Sequence, residues 1–95
     1  MPKAGRLGDQ DTGHDACGPT AVIAGSPNVL INNLPALRLG DPLAVHGCPA
    51  HAPHGRALAV GSGTVLINNL PAGRVGDAVN CGGVIVQGSP NVLIG

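Results

Sequence analysis

The eight residues VLINNLPA occur twice without a change, at 29–36 and at 65–72, so the chain repeats with a period of 36 residues. An Arg-x-Gly-Asp tetrapeptide and a GSxxVLI segment each occur three times. The tetrapeptides begin at Arg6, Arg38 and Arg74, which lie 32 and then 36 residues apart. A solenoid that extends by stacking needs units of uniform length. The unequal spacing therefore favours three short units that fold around a common axis.

Size and composition limit the core that these units can build. We expect one domain that spans residues 1–95, and a chain of this size buries roughly 60 to 70 per cent of its unfolded surface. The sequence has no Phe, Tyr or Trp, the side chains that bury about 150–250 Å² each in ordinary cores. Its 16 glycines raise the entropy cost of folding. The core is therefore expected to be thin and aliphatic, and to need another source of stability.

The charge pattern excludes several classes of partner. Five basic and five acidic residues cancel without forming runs, so the chain lacks the basic patch of a nucleic-acid-binding protein. No stretch reaches the roughly 18 apolar residues of a membrane span, and the N-terminus lacks the apolar segment of a signal peptide. These features predict synthesis and folding in the cytoplasm. In that reducing compartment, three cysteines are more typical of thiolate ligation than of a disulfide framework.

Short runs rich in branched apolar side chains, bounded by Gly, Ser, Pro or Asn, predict an all-β fold. The GSPN and GSGT segments between these runs predict tight hairpin turns. The stretches 10–21 and 42–57 predict loops, and no run has a helical period. The VLIN segments are apolar at consecutive positions, which indicates strands that are covered on both faces or that contact a partner. The predicted strands are 22–23, 29–34, 58–60, 64–70, 84–86 and 91–94.

The two predicted loops carry all four histidines of the chain. His14 and His46 each lie five residues after the aspartate of an Arg-x-Gly-Asp tetrapeptide, and Cys81 lies four residues after the third such aspartate. Each unit thus supplies one potential metal ligand at an equivalent place. Three equivalent ligands converge if the units surround an axis, and a loop of this composition cannot build an apolar core of its own. The sequence therefore predicts a metal site.

A tetrahedral zinc site needs a fourth ligand. The longest unit offers Cys48, His51 and His54. Imidazole and thiolate favour zinc over calcium or magnesium, while iron and copper accept the same residue types. Four protein ligands leave no open position for water, so the single ion would be structural and would contribute about 10–16 kcal/mol. Cys17 and an unligated Cys48 are expected to be small buried or unreactive thiols.

Other residues bear on whether this metal site is catalytic. The aspartates of the Arg-x-Gly-Asp tetrapeptides are expected to form turns and local ion pairs with the arginines. A zinc hydrolase would use His14, His46 and His54 with water as the fourth ligand. The chain has no glutamate, and no carboxylate near these histidines is an obvious general base. A structural role, or a free-standing metal-stabilised adaptor for cargo, agrees better with the sequence than an enzyme does.

Further motifs complete the pattern. Two turns read Pro35-Ala36-Leu37-Arg38 and Pro71-Ala72-Gly73-Arg74, residues 2–6 form a looser copy, and the chain ends in CGGVIVQGSPNVLIG. With the Gly-Asp corners and the His/His/Cys series, these motifs resemble the PAAR-repeat proteins over essentially the whole chain. Both turns differ from Pro-Ala-Ala-Arg at the third position.

The resemblance implies a fold, a partner and a metal. PAAR-repeat proteins are small cones that sit on the blunt end of a trimeric spike protein, VgrG, in type VI secretion machines, with related tips on phage-like contractile devices. They hold a structural zinc near the apex through three histidines and one cysteine. Carried onto this chain, that ligand set is His14, His46, His54 and Cys81, with His51 as the alternative to His54.

The resemblance also implies how such a tip is used. One tip would cap one trimer, sharpen it for membrane puncture and touch the membrane only transiently. It would assemble in the cytoplasm and leave on the device tip, to the outside or into a target cell. Effector or adaptor proteins are possible further partners, and residues 1–95 show no effector extension. The alternative is a metal-stabilised cargo or effector adaptor on a phage-like contractile tail.

Overall fold

The computed structural model describes residues 1–13, 17–48, 51–80 and 82–95. Its regular elements are six strands in three two-stranded antiparallel sheets, which confirms the all-β class. The described residues contain no helix long and apolar enough to span a membrane. The sheets pair β1 (Leu30–Ile31) with β2 (Leu34–Pro35), β3 (Pro42–Cys48) with β4 (His51–Ala57), and β5 (Leu66–Ile67) with β6 (Leu70–Pro71).

Two of the hairpins turn within the repeated VLINNLPA segment. Asn32 and Asn33 have φ angles of 53° and 65°, and Asn68 and Asn69 have angles of 54° and 65°. Two successive residues with positive φ are typical of a type I′ turn, and asparagine tolerates that region better than other residues with a Cβ. The prediction of single strands at 29–34 and 64–70 was therefore wrong, because each segment folds back on itself. The predicted hairpin turns at GSPN and GSGT are bends instead.

The stretch 42–57 also differs from the sequence prediction. It was expected to be a loop, but β3 and β4 occupy residues 42–48 and 51–57 and pair as an antiparallel hairpin. Glycine, proline and histidine weaken the strand signal in sequence. Pairing with the other strand supplies the backbone hydrogen bonds that these residues do not specify on their own.

In the remaining unit, the two ends of the chain pair in place of a VLINNLPA hairpin. Lys3 forms an antiparallel bridge with Leu93, and the Ala4 N–H donates to the Val92 carbonyl oxygen at 2.9 Å. The equivalent pairing occurs within the β1–β2 hairpin. Residues 2–4 therefore complete the unit that contains residues 92–94, and the termini meet where the other two units have an Asn-Asn turn.

The three units meet in a ring of backbone hydrogen bonds. The Gly5 N–H donates to the Gly73 carbonyl, Gly73 donates to Leu37, and Leu37 donates to Gly5, at N···O distances of 2.9, 2.8 and 3.0 Å. Each of these residues immediately precedes the arginine of a tetrapeptide. Leu37 is fully buried, and a Cβ at Gly5 or Gly73 would lie 2.6 or 2.5 Å from its side chain. One leucine and two glycines thus fill the space inside the ring, which explains why both turns differ from Pro-Ala-Ala-Arg.

Two adjacent aliphatic clusters form the core. Both lack aromatic side chains, as the composition predicts, and they adjoin because Ala36 of the first precedes Leu37 of the second. The first contains repeat-equivalent alanines and isoleucines: Ala4, Ala36, Ala72, Ile31, Ile67 and Ile94. The second surrounds Leu37 with Val22, Leu43, Leu58, Val79 and Ile85.

Each Arg-x-Gly-Asp tetrapeptide forms a turn closed by an ion pair. The aspartate N–H donates to the arginine carbonyl oxygen at 3.0, 3.0 and 3.1 Å in the three copies, and the glycines have φ angles of 89°, 88° and 94°. A type II turn requires a positive φ at this position. The closest guanidinium–carboxylate contacts are 3.0, 2.9 and 2.9 Å, and the aspartate raises the pKa of each arginine through these hydrogen bonds. The predicted local ion pairs are confirmed.

Candidate functional site

The β3–β4 hairpin carries two of the four predicted zinc ligands. Its register pairs His46 with His54, and pairs Cys48 with His51. Residues directly opposite in an antiparallel pair are the nearest cross-strand neighbours. The backbone thus brings His46 and His54 to one cross-strand position, whereas the alternative His51 lies opposite Cys48. The side chains of these four residues lie outside what the structure describes.

The other two predicted ligands, His14 and Cys81, also lie outside the described residues, but their neighbours do not. The Thr12 N–H donates to the Val84 carbonyl oxygen at 2.9 Å, and the Val84 N–H donates to Thr12 Oγ1 at 3.1 Å. The segment that precedes His14 is therefore hydrogen-bonded to the segment that follows Cys81.

Among residues 1–13, 17–45, 55–80 and 82–95, whose side chains the structure describes, no group of three or more His, Cys, Asp or Glu side chains could hold a metal. The side chains of all four predicted ligands lie outside these ranges. The donor types fit zinc, and the hairpin register agrees with the pairing of His46 and His54. The zinc site itself stays a prediction.

A buried ion pair next to these segments was not anticipated from the sequence. The side chains of Asp11 and Arg56 are both 0% exposed, and the guanidinium of Arg56 binds both carboxylate oxygens of Asp11. Arg56 also donates to Thr20 Oγ1 at 2.6 Å and to the Gly82 carbonyl oxygen at 3.3 Å. One guanidinium therefore connects β4 to the segments around residues 11, 20 and 82.

Burial and hydrogen bonding act in opposite directions on Asp11. Burial favours the neutral carboxyl and by itself would raise its pKa, but the hydrogen bonds from Arg56 and from the Thr20 N–H favour the carboxylate. The balance lowers the pKa of Asp11 below its ordinary value. The pair is therefore charged at neutral pH.

The position of Asp11 in the repeat shows how unusual this charge is. Asp11 lies two residues after the aspartate of the first tetrapeptide, and Leu43 and Val79 lie at the same place after the second and third. Each of the three forms an antiparallel bridge, with Ile85, Val22 and Leu58 respectively. Leu43 and Val79 belong to the second core cluster, and Asp11 is 1% exposed. An acidic residue thus occupies an apolar core position of the repeat.

Two signals in the sequence could have identified this pair. Arg56 is the one arginine outside the Arg-x-Gly-Asp tetrapeptides, and aligning the three units places Asp11 in a column with Leu43 and Val79. A charge in an otherwise apolar column needs a partner, because an unpaired buried charge is very unfavourable.

Cys17 differs from the expectation of an unreactive thiol. It is 3% exposed, as expected for a buried cysteine, but it is disulfide-bonded. The other two cysteines, Cys48 and Cys81, have side chains outside what the structure describes.

The VLI segments present an exposed leucine in every unit. Leu30, Leu66 and Leu93 are 57%, 61% and 50% exposed, whereas the isoleucine that follows each of them is buried in the first core cluster. Of the two expectations for these apolar strands, coverage on both faces is wrong for the leucines. We call these three repeat-equivalent leucines, each followed by an isoleucine of the first core cluster, the leucine triad.

Among comparisons with known proteins, a protein-family model matches the chain. The model of the PAAR motif family matches residues 10–87, which is most of the chain. No curated protein matches the chain at a significant level.

Proposed function

Because the chain belongs to the PAAR-motif family, a structural family of type VI secretion spike tips and not an enzyme family, we propose that it caps the trimeric VgrG-type spike of such a machine. One copy of the chain caps one trimer. The protein assembles with the spike in the cytoplasm and leaves the cell on the device tip.

The leucine triad is the observation that carries this proposal. Leu30, Leu66 and Leu93 are exposed apolar side chains at the same place in each unit. A single exposed leucine is ordinary on a protein surface, but the same residue exposed at the same place in all three units favours an interaction surface. A homotrimer presents three equivalent sites at its end. One chain with three equivalent leucines can therefore place one leucine against each subunit.

A threefold-like body supports the same partner. The hydrogen-bond ring of Gly5, Leu37 and Gly73 and the antiparallel bridges that join Arg6 to Ala36, Arg38 to Ala72 and Arg74 to Ala4 relate the three units in the same way. The molecule measures 37 × 24 × 21 Å, so it is elongated along one direction. In the proposed arrangement, this body is a cone of three pseudo-repeats with the leucine triad at its base.

We place the structural zinc of the proposed tip at His14, His46, His54 and Cys81. The register of β3 with β4 and the hydrogen bonds between Thr12 and Val84 support this ligand set. When bound, a zinc with four protein ligands acts as a cross-link between segments and not as a Lewis acid with an open position. Such a cross-link suits an apex that meets resistance when a contracting sheath drives it through a membrane.

The proposed site requires Cys81 to be a thiolate, because a sulfur in a disulfide is not available as a thiolate ligand. The test is alkylation of the unreduced protein after zinc is removed, followed by peptide mass spectrometry. Labelling of Cys81 supports the site, whereas labelling of Cys48 alone would exclude Cys81 as a ligand in the oxidised protein.

Binding to the spike is tested with the leucine triad. The variant Leu30→Asp/Leu66→Asp/Leu93→Asp should lose co-elution with the cognate VgrG-type trimer in size-exclusion chromatography, while the wild-type chain co-elutes at one copy per trimer. The matched control is Ile23→Asp/Val60→Asp/Val86→Asp, which changes exposed apolar residues outside the triad. Control and triad variants that bind equally well would exclude the triad as the base. A wild-type chain that stays monomeric beside the trimer and instead binds an effector would favour the adaptor function.

A further inference from the structure

Arg56 lies on a segment that adjoins one predicted zinc ligand, and its guanidinium contacts two further segments that each adjoin another. Arg56 itself lies two residues after His54, Asp11 lies three residues before His14, and Gly82 directly follows Cys81. Its contacts to these segments are the two oxygens of the Asp11 carboxylate and the Gly82 carbonyl oxygen, the latter at 3.3 Å. Asp11 and Gly82 are 45 and 26 residues away from Arg56 in sequence.

The Asp11 segment is held by more than this ion pair. The Thr20 N–H donates to Asp11 Oδ1 at 3.0 Å, and Thr20 Oγ1 accepts from Arg56 at 2.6 Å. Asp11 also forms an antiparallel bridge with Ile85, on the segment that follows Gly82. The fork of the guanidinium therefore sets the spacing between segments through several bonds of fixed direction, which the single ammonium of a lysine does not reproduce.

Stability alone does not account for a charge at this position. The equivalent residues Leu43 and Val79 pack in the second core cluster. Replacing a buried ion pair by apolar residues of similar volume is often neutral or stabilising. Apolar residues at positions 11 and 56 together would therefore serve the core as well, and the buried pair needs another explanation.

We propose that Arg56, together with Asp11, is a positioning pair for the metal centre that holds the segments bearing His14, His54 and Cys81 at the spacing that zinc requires. This inference rests on the zinc site of the proposed function. Partners outside the ligand shell commonly change metal affinity by about 10–100-fold when they are removed.

The test compares metal binding with folding in two variants of the full chain. Asp11→Leu/Arg56→Met restores an apolar pair, and Arg56→Lys keeps the charge but removes the fork. Zinc affinity is measured by chelator competition, and site geometry by the visible spectrum after Co²⁺ substitution. Folding is followed by far-ultraviolet circular dichroism, since the chain has no aromatic residue to report fluorescence.

We expect both variants to stay folded, to bind zinc about 10–100-fold more weakly and to show altered Co²⁺ bands. The control Arg38→Lys changes a chemically similar arginine that pairs with Asp41 and also contacts Asn68 and Gly25, away from the ligand-bearing segments. This control should keep wild-type affinity and the wild-type Co²⁺ spectrum.

Should either of the two variants fail to fold, Thr20→Val provides the comparison, because it removes one hydrogen bond from the guanidinium and leaves the ion pair intact. A folded variant with unchanged zinc affinity and unchanged Co²⁺ bands would overturn the positioning role alone. A wild-type chain that binds no zinc would overturn the metal site of the proposed function and the positioning role with it.

Discussion

The first and second core clusters use the repeat in different ways. Every position of the first cluster is filled alike in the three units, by Ala4, Ala36 and Ala72 and by three isoleucines. In the second cluster, one repeat position holds Leu43 and Val79 in two units, whereas the remaining unit has Asp11 paired with Arg56. The regular cluster adjoins the proposed base, and the irregular one adjoins the proposed metal centre. The cluster with identical residues in all three units thus lies next to the proposed contact with a trimer. The cluster in which one unit differs lies next to the proposed metal site, where the units supply different ligands.

The ion pairs show the same contrast. The pairs in the three Arg-x-Gly-Asp turns join residues three apart in sequence, and their arginine side chains are 14%, 16% and 19% exposed. The Asp11–Arg56 pair joins residues 45 apart and is fully buried. Local, partly hydrated pairs close turns, whereas the buried pair couples distant segments.

The largest expected effect comes from breaking the buried pair on one side. Arg56→Met should destabilise the protein by about 3–5 kcal/mol, because it leaves the carboxylate of Asp11 buried without its counter-charge. Urea unfolding followed by far-ultraviolet circular dichroism measures the change. The double variant Asp11→Leu/Arg56→Met should recover most of the loss. If the single variant were as stable as the double one, the charge of Asp11 in the second core cluster would not depend on Arg56.

A smaller effect is expected at the hydrogen-bond ring. Leu37→Ala should lose about 2–5 kcal/mol through the cavity it leaves. Gly73→Ala alone should lose about 1–3 kcal/mol because its Cβ would crowd Leu37 and also the end of the Leu58 side chain. Combining Leu37→Ala with Gly5→Ala and Gly73→Ala refills the ring with three small side chains. The triple variant should therefore be more stable than Leu37→Ala. Losses that simply add would contradict the shared space inside the ring.

Acid should weaken the protein through the buried pair. The pKa of Asp11 is lowered in the folded protein, so below the ordinary aspartate value of about 3.9 the unfolded chain binds more protons than the folded one. The stabilisation is complete above that value and is lost as the pH falls through the lower pKa of the folded state. Unfolding in urea at a series of pH values measures this slope. Asp11→Leu/Arg56→Met should show a shallower slope than the wild type, and an equal slope would assign the acid sensitivity to other groups.

The smallest effect is expected at the repeated turns. Asp9→Asn, Asp41→Asn and Asp77→Asn should each cost about 1 kcal/mol, since each weakens a local and partly hydrated pair. The three losses should be similar and close to additive, because the turns do not share these bonds. Urea midpoints of the single and triple variants test this. A strongly unequal series would mean that the turns are not equivalent.

Several elements of the fold followed from local sequence. The Arg-x-Gly-Asp turns were predictable because the arginine, the glycine with positive φ and the aspartate that make each turn lie within four residues. The all-β class followed from short branched apolar runs. The Asn-Asn hairpins contradict the prediction of one strand through VLINNLPA, although two adjacent asparagines are themselves a turn signal. The β3–β4 hairpin was not predicted because its residues have weak strand preferences, and each strand forms only by pairing with the other.

The candidate site divides in the same way. The repeat spacing selected His14, His46 and Cys81, and the resemblance added His54. The structure adds the register that sets His46 opposite His54. The repeat alignment marks Asp11 as an unusual charge, but only the folded structure shows that it meets Arg56, 45 residues away in sequence. The exposure of the leucine triad likewise depends on which neighbours pack above each strand.

By itself, the sequence determined the three-unit plan, the Arg-x-Gly-Asp turns and the potential ligands, since each of these follows from residue identity and spacing along the chain. Only the tertiary structure decided which leucines stay exposed, how one leucine and two glycines share the ring, and that a charge enters the second core cluster. These outcomes depend on contacts between units. Which side chains are buried, and how much space each has, is set only when the units pack against one another.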